Sequence, residues 1–310
     1  MEEIRAVTWS YSRRNLLEQC PLRYYFTYYG SNKRVARDDP QKTALHFLRK
    51  LQNRHERAGS ILHLVIATFL RKAQAGEVWS TARLRSWAQY LFSRDIEYSA
   101  KNPDRLEVPQ ERYAPVLLRE FHYHTPNAWQ MYEEALERLL TAVETFAKNP
   151  AYAFLREVAT HEKALIEHRI AIQKLPCKVD GRVDLAYQTS QGPVVVDWKL
   201  GDGATGDDSL QLVAYALWAC EHFRAAPSDI ALYKAYIASG ALTGSQLTET
   251  VVARGQGRIV QDTERMLAMD RYGRAGQAEA FSPCAQAAVC SLCPFQKACP
   301  EGRVFLDARD

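Results

Sequence analysis

The chain has 310 residues, of which 47% are apolar and 25% charged, with a formal net charge of +4. That composition excludes a mainly disordered polypeptide, and the length suits one large domain with insertions or two that share a core. The apolar stretch Ile61–Leu70 contains His63 and is only about half the roughly twenty residues of a membrane-spanning helix. The N-terminus MEEIRAVTWS carries acids where a secretion signal carries bases. The reading is a soluble, cytoplasmic protein with no membrane partner. Charge is unevenly spread: residues 1–75 hold fourteen Lys/Arg against six Asp/Glu. A phosphate-facing surface is compatible with that bias, and so are solvated helices that happen to carry arginines.

In chain order, Ser10 and Ser12 precede an amphipathic stretch with Leu16 and Leu17, interrupted by Cys20-Pro21. The aromatic run RYYFTYY, Arg23–Tyr29, predicts a buried helix; stacking of bases on its rings is the alternative. Residues 40–75 read as helical, with Gly59 opening the helix that carries His63. Trp79–Phe92 and Trp129–Phe146 continue the helical pattern around a Pro-containing loop at 102–126. After about Ala159 the texture changes. Glu167–Ile172, Lys178–Tyr187 and Pro193–Trp198 are short, β-branched and separated by turn residues, which predicts a three-stranded meander. Gly201, Gly203 and Gly206 form a loop, and Asp207, Asp208 and Ser209 offer caps for a helix to about His222. Ile230–Ile237 is a further strand and Gln256–Met269 a further helix. The parts are residues 1–75, a helical insertion 76–158, a core 159–280 and a cysteine-bearing segment 281–310.

The chemistry concentrates in residues 181–200, GRVDLAYQTSQGPVVVDWKL. Strand alternation puts Asp197 and Lys199 on one face, and a hairpin brings Asp184 opposite Asp197. Two carboxylates and an ammonium then converge. Carboxylate oxygens suit Mg²⁺ or Mn²⁺, and their mutual repulsion calls for a cation between them. A solvated surface hairpin is the plainer alternative, but a strand ending VVVDWK would bury charges that need a partner.

These residues resemble the PD-(D/E)xK nuclease superfamily, in its RecB-type branch. The matching pattern is Gly181-Arg182-x-Asp184, Asp197-x-Lys199 and Gln211-x-x-x-Tyr215, preceded by Gly59-x-x-x-His63 and by Glu167 near the first strand. The resemblance implies an α/β restriction-endonuclease-like fold, a mixed central sheet flanked by helices. It implies that His63, Asp184, Asp197 and the Trp198 carbonyl ligate Mg²⁺ or Mn²⁺. Lys199 would orient the attacking water, Gln211 and Tyr215 would line the DNA side, and Glu167 would serve the same site. The implied activity is hydrolysis of DNA, as an exonuclease on single-stranded ends, in repair or defence. A non-catalytic DNA-binding scaffold in a helicase–nuclease assembly is the alternative. A helicase or CRISPR/defence protein is a candidate partner, and any unwinding would have to come from a partner because no GxxxxGK[ST] loop is present.

Seven cysteines are an odd count without a secretion signal, which disfavours a disulfide framework. Four lie in the last 27 residues, and Cys290-x2-Cys293-x5-Cys299 suggests a metal. Resemblance to the iron–sulfur subgroup of these nucleases, of the AddB and CRISPR-associated kind, pairs that set with Cys20 in a 4Fe–4S cluster that staples the termini. Four thiolates also suit Zn²⁺, and spacing does not separate the two. Such a staple closes a loop of about 270 residues, worth roughly 5 kcal/mol in the chain-entropy model. Cys284 reads as a bystander or a substitute ligand, and Cys177 and Cys220 as ordinary buried thiols.

Overall fold

A computed structural model describes residues 7–32, 39–107, 114–158, 163–201 and 209–307. The helices run α1 (Tyr11–Gln19), α2 (Pro21–Tyr25), α3 (Pro40–Leu48), α4 (Arg54–Gln74), α5 (Thr81–Lys101), α6 (Arg119–His122), α7 (Ala128–Lys148) and α8 (Ala153–Val158). They are followed by strands β1 (Leu165–Ile170), β2 (Gly181–Thr189) and β3 (Gly192–Lys199), then α9 (Ser209–Phe223), β4 (Ala231–Tyr236) and β5 (Ala241–Ser245). The chain closes with α10 (Glu249–Arg274), α11 (Ala287–Cys290) and α12 (Pro300–Asp307). Two compact units emerge. The first comprises 55–93 and 129–261, the second 2–54, 94–128 and 262–310.

The first unit is built on a five-stranded mixed sheet in the order β1-β2-β3-β4-β5. The meander β1–β2–β3 is antiparallel, β3 and β4 are parallel, and β5 returns antiparallel. Pro193–Trp198 is buried throughout, as a central strand covered on both faces requires. A parallel neighbour needs a crossover, and α9 supplies it between β3 and β4. The meander is as the β-branched runs predict. The two further strands complete the sheet, and β5 has no sequence signal because its short ALTGS run is mostly exposed at an edge. The β2–β3 turn has two residues between Thr189 and Gly192. Gly192 has φ +130°, and a Cβ there would meet the Asp229 carbonyl oxygen at 2.3 Å, so only glycine fits.

Helix α4 begins at Arg54, so Gly59 lies inside it rather than opening it. A Cβ on Gly59 would meet nothing, and its role in the sequence pattern is not one of helix initiation. The helix is fastened to β1 by Arg71 and Gln74, which donate to the carbonyls of Ile166 and Ala164 at 3.1 and 2.8 Å. The loop glycines Gly203 and Gly206 and the proposed caps Asp207 and Asp208 lie outside the described residues.

The second unit packs a cluster of aromatic rings. Arg23–Tyr29 is not one continuous α-helix: α2 ends at Tyr25 and Phe26–Gly30 makes a π-helical turn. Tyr24 and Phe26 point into the core, where Phe26 meets Phe295 at 5.3 Å between ring centres. The fully buried Arg119 of α6 donates from Nε to the Cys293 carbonyl at 3.1 Å and pairs with the Gln296 side chain.

Two glycines of α10 provide an internal test of packing. A Cβ on Gly255 would come within 2.6 Å of Val213 on α9, while one on Gly257 would meet nothing. Gly255→Ala is expected to destabilise by about 1–3 kcal/mol through overpacking. Gly257→Ala is expected to stabilise by about 0.5–1 kcal/mol through helix propensity. Urea denaturation of both variants checks this, and equal effects would contradict the α9–α10 packing.

Candidate metal centre

The acids arise from the register of the hairpin. The β2–β3 ladder ends at Leu185↔Val196, which leaves Asp184 and Asp197 facing each other one step beyond. Both are buried, at 4% and 3% exposure. One oxygen of Asp184 accepts the Trp198 backbone N–H at 2.9 Å, and the other lies 3.1 Å from His63 Nδ1. On the next strand, Glu167 adopts φ +50°, a left-handed conformation that a non-glycine residue enters at a cost. Its carboxylate stands 3.5 Å from His63 Nδ1 and 2.7 Å from Arg182 Nε. Ligand atoms of His63, Glu167 and Asp184 all lie within 4.8 Å of one another.

Asp197 is held separately. Gln211 donates to its Oδ1 at 3.2 Å and Tyr215 does so at 3.1 Å, while Lys199 Nζ approaches Oδ2 at 2.9 Å. Gln211 links the group further, donating to Tyr215 Oη at 2.8 Å and accepting from Lys199 at 3.2 Å. Residues four apart on α9 thus reach one carboxylate, as their shared helix face requires. Trp198 turns its ring away into the core, 6.4 Å from both the His63 and Phe146 rings.

The electrostatics favour a cation. Burial raises the Asp184 pKa, His63 opposes that, and the Asp197 charge adds to it. For His63, burial alone would depress the pKa, but the Asp184 and Glu167 carboxylates outweigh it and raise the value to about 10. Glu167 Oε1 and Asp197 Oδ2 are buried and accept no hydrogen bond, although a cationic group stands within 3.5 Å of each. The Lys199 ammonium meets the Asp197 oxygen and the His63 ring faces the Glu167 oxygen, and buried carboxylate oxygens of this kind also fit a hard divalent ion.

The site residues named from sequence therefore fall into one neighbourhood, with one shift of emphasis. Glu167, not Asp197, is grouped most tightly with His63 and Asp184. Arg182 is the residue whose part sequence reasoning did not assign: it pairs with Glu167, and its carbonyl accepts the Tyr215 hydroxyl at 2.9 Å. The signal was its place two residues before Asp184, on the strand beside Glu167.

The cysteines behave differently. Cys20, Cys284, Cys290, Cys293 and Cys299 line one small cavity in the second unit. Burial and the neighbouring thiols raise Cys290 to about 12 and Cys293 to about 11, which keeps them protonated until a metal displaces the proton. Yet among the described residues no three cysteines bring ligand atoms within 4.8 Å, as a single tetrahedral zinc would require. The thiols are not arranged as a formed ligand set for zinc. The Cys284 Sγ lies 3.9 Å from that of Cys290. Arg119 and Gln296 donate to the Cys293 and Cys290 carbonyls at 3.1 and 2.8 Å and so brace the loop that carries these thiols.

A mixed sheet flanked by helices, with buried acids and a lysine at the end of its central strand, defines a restriction-endonuclease-like protein with a candidate divalent-metal centre. The family model of the PD-(D/E)XK nuclease superfamily matches residues 8–300, and the chain belongs to that superfamily. Membership implies a metal-dependent nuclease that acts on DNA. No curated protein matches the chain. No helix among the described residues is long and apolar enough to cross a membrane.

A proton on His63 and a metal compete for the same ring. Its raised pKa leaves the imidazole protonated at neutral pH, so a divalent ion must displace that proton. Apparent Mn²⁺ affinity is expected to rise between pH 7 and 9, by up to about tenfold per unit while one proton is released. Calorimetry in two buffers checks the proton count; tight binding with a flat pH profile would contradict the arrangement.

Proposed function

We propose that the protein is an exonuclease that hydrolyses phosphodiester bonds at single-stranded DNA ends. The observation that carries this reading is the convergence of His63, Glu167 and Asp184 beside the Asp197–Lys199 pair. His63, Asp184, Asp197 and the Trp198 carbonyl would hold Mg²⁺ or Mn²⁺, with Glu167 as a further donor. When bound, the ion supplies charge neutralisation at the phosphate and lowers the pKa of water.

The chain's own residues do the rest. Lys199 reaches the Asp197 carboxylate and is half-buried, which suits it to place a water and to meet negative charge developing on phosphate oxygens. Gln211 and Tyr215 fix the Asp197 rotamer, and burial holds the Tyr215 phenol protonated as a donor. Arg182 offsets the Glu167 charge from the solvent side. A scaffold without catalysis has no need to keep these carboxylates buried beside a lysine.

The exonuclease mode, the single-stranded preference, a helicase or defence partner and a role in repair or antiviral defence rest on the RecB-type resemblance. So does the 4Fe–4S cluster on Cys20, Cys290, Cys293 and Cys299. In its support stands the thiols' shared cavity; their present spacing does not add to it. Protein purified without oxygen is expected to carry iron and acid-labile sulfide. An iron-free preparation that still cleaves DNA would remove the cluster and leave the nuclease.

Cleavage of single-stranded, duplex and circular DNA with Mn²⁺ tests the activity. Asp184→Ala, Asp197→Ala and Lys199→Ala are each expected to lower the rate by at least about 100-fold, with unchanged melting behaviour in the second unit. Cleavage of linear single strands with sparing of circles supports an exonuclease. Full activity in purified Lys199→Ala would overturn the mechanism.

A further inference from the structure

The second unit contains a cleft that no step above uses. Its volume is about 520 Å³, and Arg13, Tyr25, Tyr28, Tyr29, Lys42 and Arg274 are among the residues lining it. That falls within the roughly 300–1,000 Å³ of ordinary ligand sites. One wall is rigid: the Tyr25 and Tyr29 rings stack at 6.2 Å, and a Cβ on Gly273 would touch the Tyr29 ring at 2.5 Å. The helix backbone is thus pressed against that ring.

Most charges in the cleft are already met. Asp270 accepts from the Tyr29 hydroxyl at 3.0 Å and pairs with Arg274, and Lys42 lies 3.8 Å from the Asp39 carboxylate. Arg13 is the exception. It donates to the Tyr24 hydroxyl at 3.1 Å and to the Thr8 carbonyl at 3.3 Å, and no carboxylate among the described residues pairs with it. Its guanidinium sits 4.4 Å over the Tyr28 ring. The Tyr28 hydroxyl has no hydrogen-bond partner among the described residues, and burial keeps it protonated. An uncompensated guanidinium stacked on a phenol with an unused donor, inside an aromatic cleft, asks for an anionic ligand with flat faces.

We propose that this cleft holds unpaired nucleotides of a single-stranded nucleic acid, with Arg13 on a phosphate and the tyrosine rings against bases. The geometry calls for such a ligand by its chemistry; the choice of a strand rests on the nuclease reading. Stacking is sequence-tolerant because every base has a flat face, and it is denied to paired bases.

The test measures anisotropy of a labelled oligothymidine of about 20 nucleotides, several times the footprint of a small single-strand site. A chelator is present, so that binding does not depend on cleavage. The wild type is expected to bind the strand, and a duplex of the same length to compete poorly. Arg13→Gln and Tyr28→Leu are each expected to weaken binding about tenfold or more. No binding by the wild type, equal competition by duplex, or wild-type affinity in both folded variants would overturn the proposal. Photocrosslinking of a bromodeoxyuridine strand to the wild type covers the case where a variant misfolds. Crosslinks at residues 13 or 25–29 support the cleft, and crosslinks only elsewhere sink it. If the pattern holds but Mn²⁺ gives no cleavage, the nuclease reading fails and the strand site stands. If cleavage proceeds and binding ignores Arg13 and Tyr28, only the cleft fails.

Discussion

Two carboxylates withdrawn from water on adjacent strands set the terms for the first unit. Asp184 and Asp197 carry like charges at facing positions, and such burial is costly unless opposite charge and donors surround both groups. The chain meets that demand from three directions. Helix α4 brings His63, the end of β3 brings Lys199, and α9 brings Gln211 and Tyr215. Replacing a buried ionic set with well-packed apolar side chains is often neutral or stabilising. An arrangement that keeps the acids, and adds Glu167 in a left-handed backbone conformation, trades stability for chemistry.

The sheet meander and the acid pair were legible in the sequence because period-two alternation and hairpin register are local properties. Once Thr189 and Gly192 close a two-residue turn, Asp184 must come opposite Asp197. His63 was legible only through resemblance, since a lone histidine on an apolar helix has no local signature. Three features escaped. The start of α4 at Arg54 was hidden because Gly59, a weak helix former, is tolerated on an open face. The edge strand β5 has neither β-branched residues in number nor burial to mark it. The left-handed backbone torsion of Glu167, a residue the resemblance already places at this site, is encoded by no pattern of residue types.

The second unit shows the limit of spacing arguments. Cys290, Cys293 and Cys299 have a metal-like rhythm, yet a buried polar network positions their loop. Arg119, Tyr123 and Gln296 hold the carbonyls of Cys293, Pro294 and Cys290 with bonds of 3.1, 2.7 and 2.8 Å. Because each partner is buried and satisfied, the loop has structure in its own right. The aromatic run 23–29 divides similarly: Tyr24 and Phe26 serve the core while Tyr28 and Tyr29 face a cleft. A helix-period reading could not separate these roles, because the π-helical turn at Phe26–Gly30 changes the period in the middle of the run.

Anomalous X-ray scattering from crystals grown with Mn²⁺ addresses the central claim most directly. The account predicts an ion bound by Asp184 and His63, with a carboxylate oxygen of Glu167 or Asp197 completing the protein's share of the ligands. Manganese found only at other positions, with the His63–Asp184 contact intact beneath it, would contradict the account.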